Sequence, residues 1–186
     1  VREHFVNDGY LEVETPSIVS GPGMDSNLMA FEVLGAGGPR WLLTSPEYQL
    51  KRLLSAGRPR VFQFARCFRR GEHGSNHEPE FAMLEWYRTF TWFEELLTET
   101  ETLVASVCHR ARGRSHIAFG GGQVDLTPPW ERITVAEAFQ RYAGVDSSSL
   151  LGNEENFYRT LVEAVEPKLG RERPTFLTHW PAQMAS

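Results

Sequence analysis

Residues 60–88, RVFQFARCFRRGEHGSNHEPEFAMLEWYR, set two apolar segments around a middle of charges, glycines and two histidines. Val61, Phe62, Phe64, Ala65, Cys67 and Phe68 form one β-branched and aromatic run, and Phe81, Met83, Leu84, Trp86 and Tyr87 form a second. Such runs predict two antiparallel strands joined by a long loop, with Phe68-Arg69 where the first strand opens into it. Alternation along the second strand puts Phe81, Met83, Glu85 and Tyr87 on one face and Leu84 and Trp86 on the other. The first face then combines a carboxylate and a phenol with apolar groups, as a pocket floor does. Charges in a hairpin loop are ordinarily just solvated, and paired hydrophobic strands are ordinarily just core. A loop this long in a compact chain, however, is usually either functional or disordered, and the two bounding strands argue against disorder.

The rest of the chain supplies helices and shorter strands. Val1, Phe5 and Val6 have the spacing of an amphipathic helix over residues 1–8, with Gly9 as its stop. Tyr10, Leu11, Val13 and Thr15 predict a strand ending at Pro16, with Glu12 and Glu14 outward. Residues 17–27 read as a loop. Leu28 to Leu34, a turn over 35–40 and Trp41 to Thr44 read as a hairpin. Thr44-Ser45-Pro46-Glu47-Tyr48 predicts a helix start, with Ser45 as N-cap and Pro46 at the first helical position. In that helix Leu50, Leu53 and Leu54 face the sheet, and Lys51 and Arg52 face solvent.

Phe93, Leu96, Leu97, Thr100, Leu103, Val104 and Val107 space a packing helix over 92–109, which residues 110–114 and the Gly120-Gly121-Gly122 turn punctuate. The triple glycine lacks the lysine and the strand-loop-helix context of a phosphate loop and is read as a turn. Residues 130–135 predict a short strand, after which Thr134 caps a helix with Glu137 at the capping-box position. A further amphipathic helix is expected over 157–169 and a strand over 175–180.

With 186 residues, 41% hydrophobic and 23% charged, the composition is that of one globular domain with a sizeable core. A net charge of -5 argues against nucleic-acid binding by bulk electrostatics. Two cysteines without metal-like spacing, Cys67 and Cys108, favour a reducing compartment over a disulfide framework or zinc site. No apolar run is long enough to span a membrane and no signal-peptide pattern opens the chain, so a cytoplasmic protein is expected.

Phe68-Arg69, Gly71-Glu72, His77, Pro79-Glu80-Phe81 and Leu84-Glu85-Trp86-Tyr87-Arg88 together resemble motif 2 of the class II aminoacyl-tRNA synthetases, in the lysine branch. The ending at 84–88 is similar to short lysyl-tRNA synthetase paralogs that attach lysine or β-lysine to elongation factor P. The helix, glycine, strand and proline of residues 1–16 resemble motif 1, which in the family builds a dimer interface. The likeness covers nearly the whole chain. It implies an α+β fold, a class II synthetase-like antiparallel sheet flanked by helices, here partial, and a homodimer that uses ATP and Mg²⁺.

Activation of a carboxylic acid by ATP brings two anions together, which calls for an arginine able to fork across phosphate and carboxylate oxygens. Arg69, at a strand end, has that group and is the expected catalytic residue. The resemblance assigns ATP to Arg69, Gly71, Glu72, His77, Glu78 and Phe81, with Phe81 stacking on adenine. It assigns the amino acid to Ser45, Glu47, Glu85 and Tyr87; Glu85 could instead serve a metal or be a buried partner for a basic residue. Many lysine-branch members carry an acid where Gly71 stands and an asparagine where Glu78 stands; Glu72 could substitute for the first.

Residues 1–186 are expected to be one incomplete catalytic domain, with motifs 1 and 2 present and motif 3 absent. No metal ligand is assigned, since the family's late acidic strand is also absent. A piece lacking the ATP-tail arginine and the metal carboxylates should not make adenylate by itself. The expected function is ATP-dependent activation of lysine or β-lysine and transfer to a lysine of elongation factor P. Transfer to tRNA, as in a true lysyl-tRNA synthetase, and a noncatalytic binding module are the alternatives.

Overall fold

The computed structural model describes residues 1–23, 28–35 and 37–184, so parts of the expected 17–27 loop and 35–40 turn lie outside the described residues. Two compact units divide the chain, Val1–Thr91 and Trp92–Ser186.

The first unit is built on a nine-residue antiparallel pair. Strands β4 (Arg60–Phe68) and β5 (Glu80–Arg88) run in unbroken register from Arg60 opposite Arg88 to Phe68 opposite Glu80. Strand β1 (Leu11–Glu12) lies along the other edge of β4, giving the order β1-β4-β5. The expectation of an antiparallel sheet holds for β4 and β5, whereas β1 runs parallel to β4. The strand expected over residues 10–15 is short, although the Val13 N–H still donates to the Phe62 carbonyl at 2.9 Å. Helix α1 (Arg2–Asn7) precedes it, and the positive φ of 77° at Gly9 turns the chain from one into the other.

Phe5 makes this six-residue helix stay. It is fully buried and stacks on Phe62 at 4.7 Å, with Tyr10 at 5.2 Å and Trp86 at 5.5 Å. Trp86 therefore packs on the face away from Glu85, as strand alternation requires.

On the opposite face Val19, Leu43, Ala65 and Cys67 form a core with Trp41, Phe81 and Met83 against it. Strands β2 (Ile18–Val19) and β3 (Trp41–Leu42) pair there antiparallel. The expected 28–44 hairpin is reduced to a bridge between Glu32 and Trp41 and two flanking backbone bonds, while β3 pairs with β2 along its other edge.

Helix α2 (Glu47–Ser55) follows, with Pro46 rather than Ser45 as N-cap. Pro46 has ψ near 0°, outside the helical range, so the helix starts one residue later than expected. Leu50 is buried and Lys51 and Arg52 are exposed, as the pattern predicts.

In the second unit, helix α3 (Phe93–Arg112) runs three residues past the expected end and stops at Gly113, whose φ of 67° no continuing helix allows. Phe93, expected on the packing face, is more than half exposed at the first turn. Its Glu101 is a buried carboxylate with partners: it accepts from Arg132 Nη2 at 3.2 Å and from the Trp130 N–H at 3.3 Å. Residues 116–125 form a hairpin that the sequence reading lacks, β6 (His116–Phe119) with β7 (Gly122–Asp125). Gly120 and Gly121, at φ 57° and 80°, make its two-residue turn, so the glycines act as a turn.

Strand β8 (Glu131–Thr134) pairs parallel with β9 (Thr175–Thr178). Thr134 caps helix α4 (Val135–Ala143) through the expected capping box: its hydroxyl accepts from the Glu137 N–H at 3.1 Å, and the Glu137 carboxylate accepts from the Thr134 N–H at 3.0 Å. The helix expected over 157–169 is instead helix α5 (Glu154–Thr160), capped by Asn153, then a π turn over Leu161–Val165 and a 3₁₀ turn over Glu166–Lys168. Pro167 has no N–H for an α-helical ladder, which gives a reason for the altered winding before it. Ile133, Val135, Ala138, Phe139, Phe157, Leu161 and Val165 form the core of these elements.

Phe5→Ala is expected to lower the unfolding free energy by about 3–5 kcal/mol. Leu11→Ala, at a half-exposed position, should cost less than about 1 kcal/mol. Denaturant titration of the full-length protein measures both.

Candidate active site

The β4–β5 register places Gln63 opposite Glu85, Ala65 opposite Met83 and Cys67 opposite Phe81. One sheet face thus carries two rows of aligned side chains. Above it is a cavity of about 300 Å³ lined by Pro22, Gly23, Leu28, Thr44, Ser45, Glu47, Tyr48, Arg69, Met83 and Glu85. Ser45, Glu47, Arg69 and Glu85, four of the residues picked out from the sequence, meet at this one place.

Glu85 is held by hydroxyls. Ser45 Oγ donates to its Oε1 at 2.7 Å and Tyr87 Oη donates to its Oε2 at 3.0 Å. Its partners are therefore neutral, in contrast to the alternative of a carboxylate neutralised by a basic residue. Ser45 Oγ also accepts from the Glu47 N–H at 3.2 Å, so one hydroxyl serves both the helix start and Glu85. Glu47 pairs with Lys51 one turn along α2, and that bond is the main reason the Lys51 ammonium is raised above its ordinary value. Burial first, and then the charge of Glu85, push the Tyr87 phenol well above its usual range, so it stays a hydrogen-bond donor to Glu85.

Arg69 follows the last residue of β4 and is fixed at several points. Its N–H donates to the Pro79 carbonyl at 2.9 Å, closing the base of the 70–79 loop. Its side-chain Nε donates to the Thr44 carbonyl at 3.3 Å, its Nη1 lies 3.6 Å from Glu72 Oε1, and the guanidinium sits 5.1 Å from the centre of the Phe81 ring. Arg69, Glu72 and Phe81 therefore come together, while Gly71, His77 and Glu78 lie exposed on the loop and do not line the cavity. Gly74 and His77 bridge to each other and tighten the loop tip.

Gly71 has a physical reason for not being an acid. Its φ is 85°, and a Cβ there would meet Met29 Cε at 3.1 Å. Met29 is held close because its carbonyl accepts from the Arg70 N–H at 2.7 Å. Sequence reasoning missed Met29, and with it Pro22, Gly23, Thr44 and Tyr48; only Tyr48, adjacent to Glu47, had a signal in its position.

Among the described residues no group of three or more His, Cys, Asp and Glu side chains comes together to hold a metal ion. The described residues thus do not by themselves fit Mg²⁺. Arg69 lines the cavity, and its guanidinium stands beside the Phe81 ring, which packs against the core beneath.

The cavity thus sets two carboxylates and a strand-end arginine together over an antiparallel strand pair. Residues 1–186 match the family of class II tRNA synthetases (D, K and N), and the chain belongs to that family. It is 38% identical over 199 residues to the elongation factor P–(R)-β-lysine ligase of Salmonella gallinarum (strain 287/91 / NCTC 13346), an overlap of 100% of this chain and 60% of that protein. Proteins of the same name from Salmonella paratyphi B (strain ATCC BAA-1250 / SPB7) and Salmonella heidelberg (strain SL476) are 38% identical over 200 residues, again across 100% of this chain and 60% of theirs. The chain spans 60% of the length of these curated relatives. No helix among the described residues is long and apolar enough to cross a membrane.

Gly71→Ala is expected to destabilise the protein by about 1–2 kcal/mol through its left-handed backbone. Gly74→Ala, whose added Cβ would meet only ordinary contact at 3.9 Å, should change little; unfolding midpoints compare the two. Burial, the larger cause, and Glu85 raise the Cys67 thiol to about 11, so thiolate is scarce near neutral pH. Cys67 should resist alkylation in the native protein and react after denaturation, as mass spectrometry of the modified residue would show.

Proposed function

We propose that the full-length protein activates lysine or β-lysine with ATP as an aminoacyl-adenylate and transfers the acyl group to a lysine of elongation factor P. The observation that carries this reading is the cavity itself, where Glu47 and Glu85 offer two carboxylates to a diamino acid and Arg69 stands beside them. The name of the 38%-identical relatives supports the acceptor.

In the first step a carboxylate oxygen of the amino acid attacks the α-phosphorus of ATP. The bond from that phosphorus to the bridging oxygen breaks, and pyrophosphate leaves with the electron pair. Arg69 forks across the oxygens of both anions as charge builds. Its strand-end anchoring keeps it in place, which favours precise chemistry over a loop-borne arginine. Phe81 supplies a stacking face to adenine. Glu72 leaves Arg69 for the adenine edge, while His77 and Glu78 on the exposed loop meet the triphosphate and Gly71 lets the loop turn beneath it.

Glu47 and Glu85 take the substrate ammonium groups, with Ser45 and Tyr87 aiming Glu85. In the second step the acceptor amine attacks the acyl carbon, AMP departs and the amine loses a proton. A homodimer through the first helix and strand takes support from the half-exposed Val6, Leu11 and Ile18, and a cytoplasmic location accords with two free cysteines.

Pyrophosphate exchange with ATP and either amino acid, followed by labelled transfer to elongation factor P or tRNA, tests the reading. Exchange with neither amino acid overturns it, and label on tRNA alone moves the acceptor. Arg69→Ala should lower exchange by about 100-fold or more, since removal of a charge-assisted donor from the transition state costs on the order of 3 kcal/mol. Arg69→Lys should rescue little.

A further inference from the structure

Thr44 follows β3 at the cavity and is only 4% exposed. The residue before it is tied on two sides: the Leu43 N–H donates to the Ser17 carbonyl at 2.9 Å, and the Leu43 carbonyl accepts from the Phe68 N–H at 2.8 Å. The residue after it, Ser45, donates to Glu85. A buried hydroxyl lowers stability unless it finds a partner. Filling the space would need only the shape of a threonine, which valine shares. What the hydroxyl adds is one directed bond, from Oγ1 to the Pro22 carbonyl at 2.7 Å.

Pro22 and Gly23 form part of the cavity wall, and among the described residues no other hydrogen bond holds them. Gly23 has a φ of 126°, and a Cβ there would meet Thr44 Oγ1 at 3.5 Å and Tyr48 Cε2 at 4.0 Å. The wall thus lies within contact range of the hydroxyl that ties it. Thr44 holds Arg69 as well, since its carbonyl accepts from Arg69 Nε at 3.3 Å. One residue therefore joins two parts of the cavity that are far apart in sequence, the 22–23 wall and the strand-end arginine.

We propose that Thr44 is a positioning residue for the amino-acid end of the cavity: its hydroxyl holds the Pro22-Gly23 wall in a set place relative to Arg69, which its carbonyl holds. The inference rests on the reading of this cavity as the seat of a diamino acid. The two bonds differ in what they ask of the residue type. Any residue at this position supplies a carbonyl to Arg69, whereas a hydroxyl at this reach needs threonine or serine. Loss of the hydroxyl alone releases the wall and leaves the arginine anchored.

In the full-length protein, Thr44→Val should raise the KM for the amino acid in pyrophosphate exchange by about two- to tenfold, the worth of one hydrogen bond, with the KM for ATP unmoved. Thr44→Ser should restore it. Gly23→Ala, which places a side chain on a backbone that favours glycine, should raise the same KM. Thr44→Val in that background should then add less than it does alone, because both changes act on one wall. A Thr44→Val protein with a lower unfolding midpoint but both KM values at the wild-type level, or fully additive effects of the two substitutions, overturns the proposal and leaves Thr44 as a satisfied core hydroxyl.

NMR gives a readout that requires no turnover. With carbonyl-¹³C proline and ¹⁵N-glycine labelling, the Pro22-Gly23 peptide gives a cross-peak that Gly23→Ala identifies by its loss. The Pro22 carbonyl carbon should move in Thr44→Val and return in Thr44→Ser, while the Arg69 Nε–H resonance, assigned with Arg69→Lys, keeps its place. If Thr44→Val does not fold, Thr44→Ala takes its place with the same expected outcomes. A Pro22 carbonyl that does not move, or an Arg69 resonance displaced along with it, overturns the proposal. These spectra decide on Thr44 even where absent exchange has overturned the diamino acid reading.

Discussion

The register of β4 against β5 decides which side chains of the first unit can meet. Nine consecutive pairs leave no room for a slip, because a shift of one residue would turn Glu85 and Tyr87 from the cavity to the Phe5 side. Phe5 and Trp86 make that exchange costly, since their rings need the apolar face. The same ladder delivers Arg69 to the cavity rim, as the first residue past the strand, with its N–H tied to Pro79 across the loop mouth. Anchoring at the strand end and exposure in the loop are thus neighbours in sequence.

Two kinds of electrostatic economy show in the cavity wall. Glu85 is surrounded by hydroxyls, which orient a carboxylate while leaving its charge in place. Glu47 is paired with Lys51, a partner that is more than half exposed and so easily exchanged for another cation. Between them they give a site whose negative charge remains usable by a ligand. Burial and Glu85 push the Tyr87 phenol above its usual range, so it remains a donor to Glu85 into alkaline solution where a free phenol would ionise.

The amino-acid sequence spoke most clearly where period and composition agree. The 60–68 and 80–88 strands, their pairing, the face that carries Glu85 and the Thr134 capping box could all be read from local patterns, because each depends on neighbours two to four residues away. The β6–β7 hairpin was hidden: His116 to Asp125 contains few strongly β-forming residues, and its two-glycine turn reads only as punctuation. The break of the 154–168 helix turned on Pro167, whose missing N–H was overlooked amid helical spacing. Cavity-lining Pro22 and Gly23 gave no signal, for their contribution is backbone and shape. Thr44 looked like one more hairpin residue, since its bonds to Pro22 and Arg69 span 22 and 25 positions of the chain.

Arg69 has a consequence for how a ligand is met. Its guanidinium already touches a carbonyl, a carboxylate and a ring before any phosphate is present. Much of the rotamer freedom of a long side chain has therefore been surrendered during folding rather than at the moment of encounter. On the proposed reading, a phosphate that arrives needs only to trade places with Glu72, a substitution of one anion for another at a fixed cation. Such a swap leaves the number of paired charges unchanged, so the encounter resembles ion exchange on a solid support more than the gathering of a flexible arm.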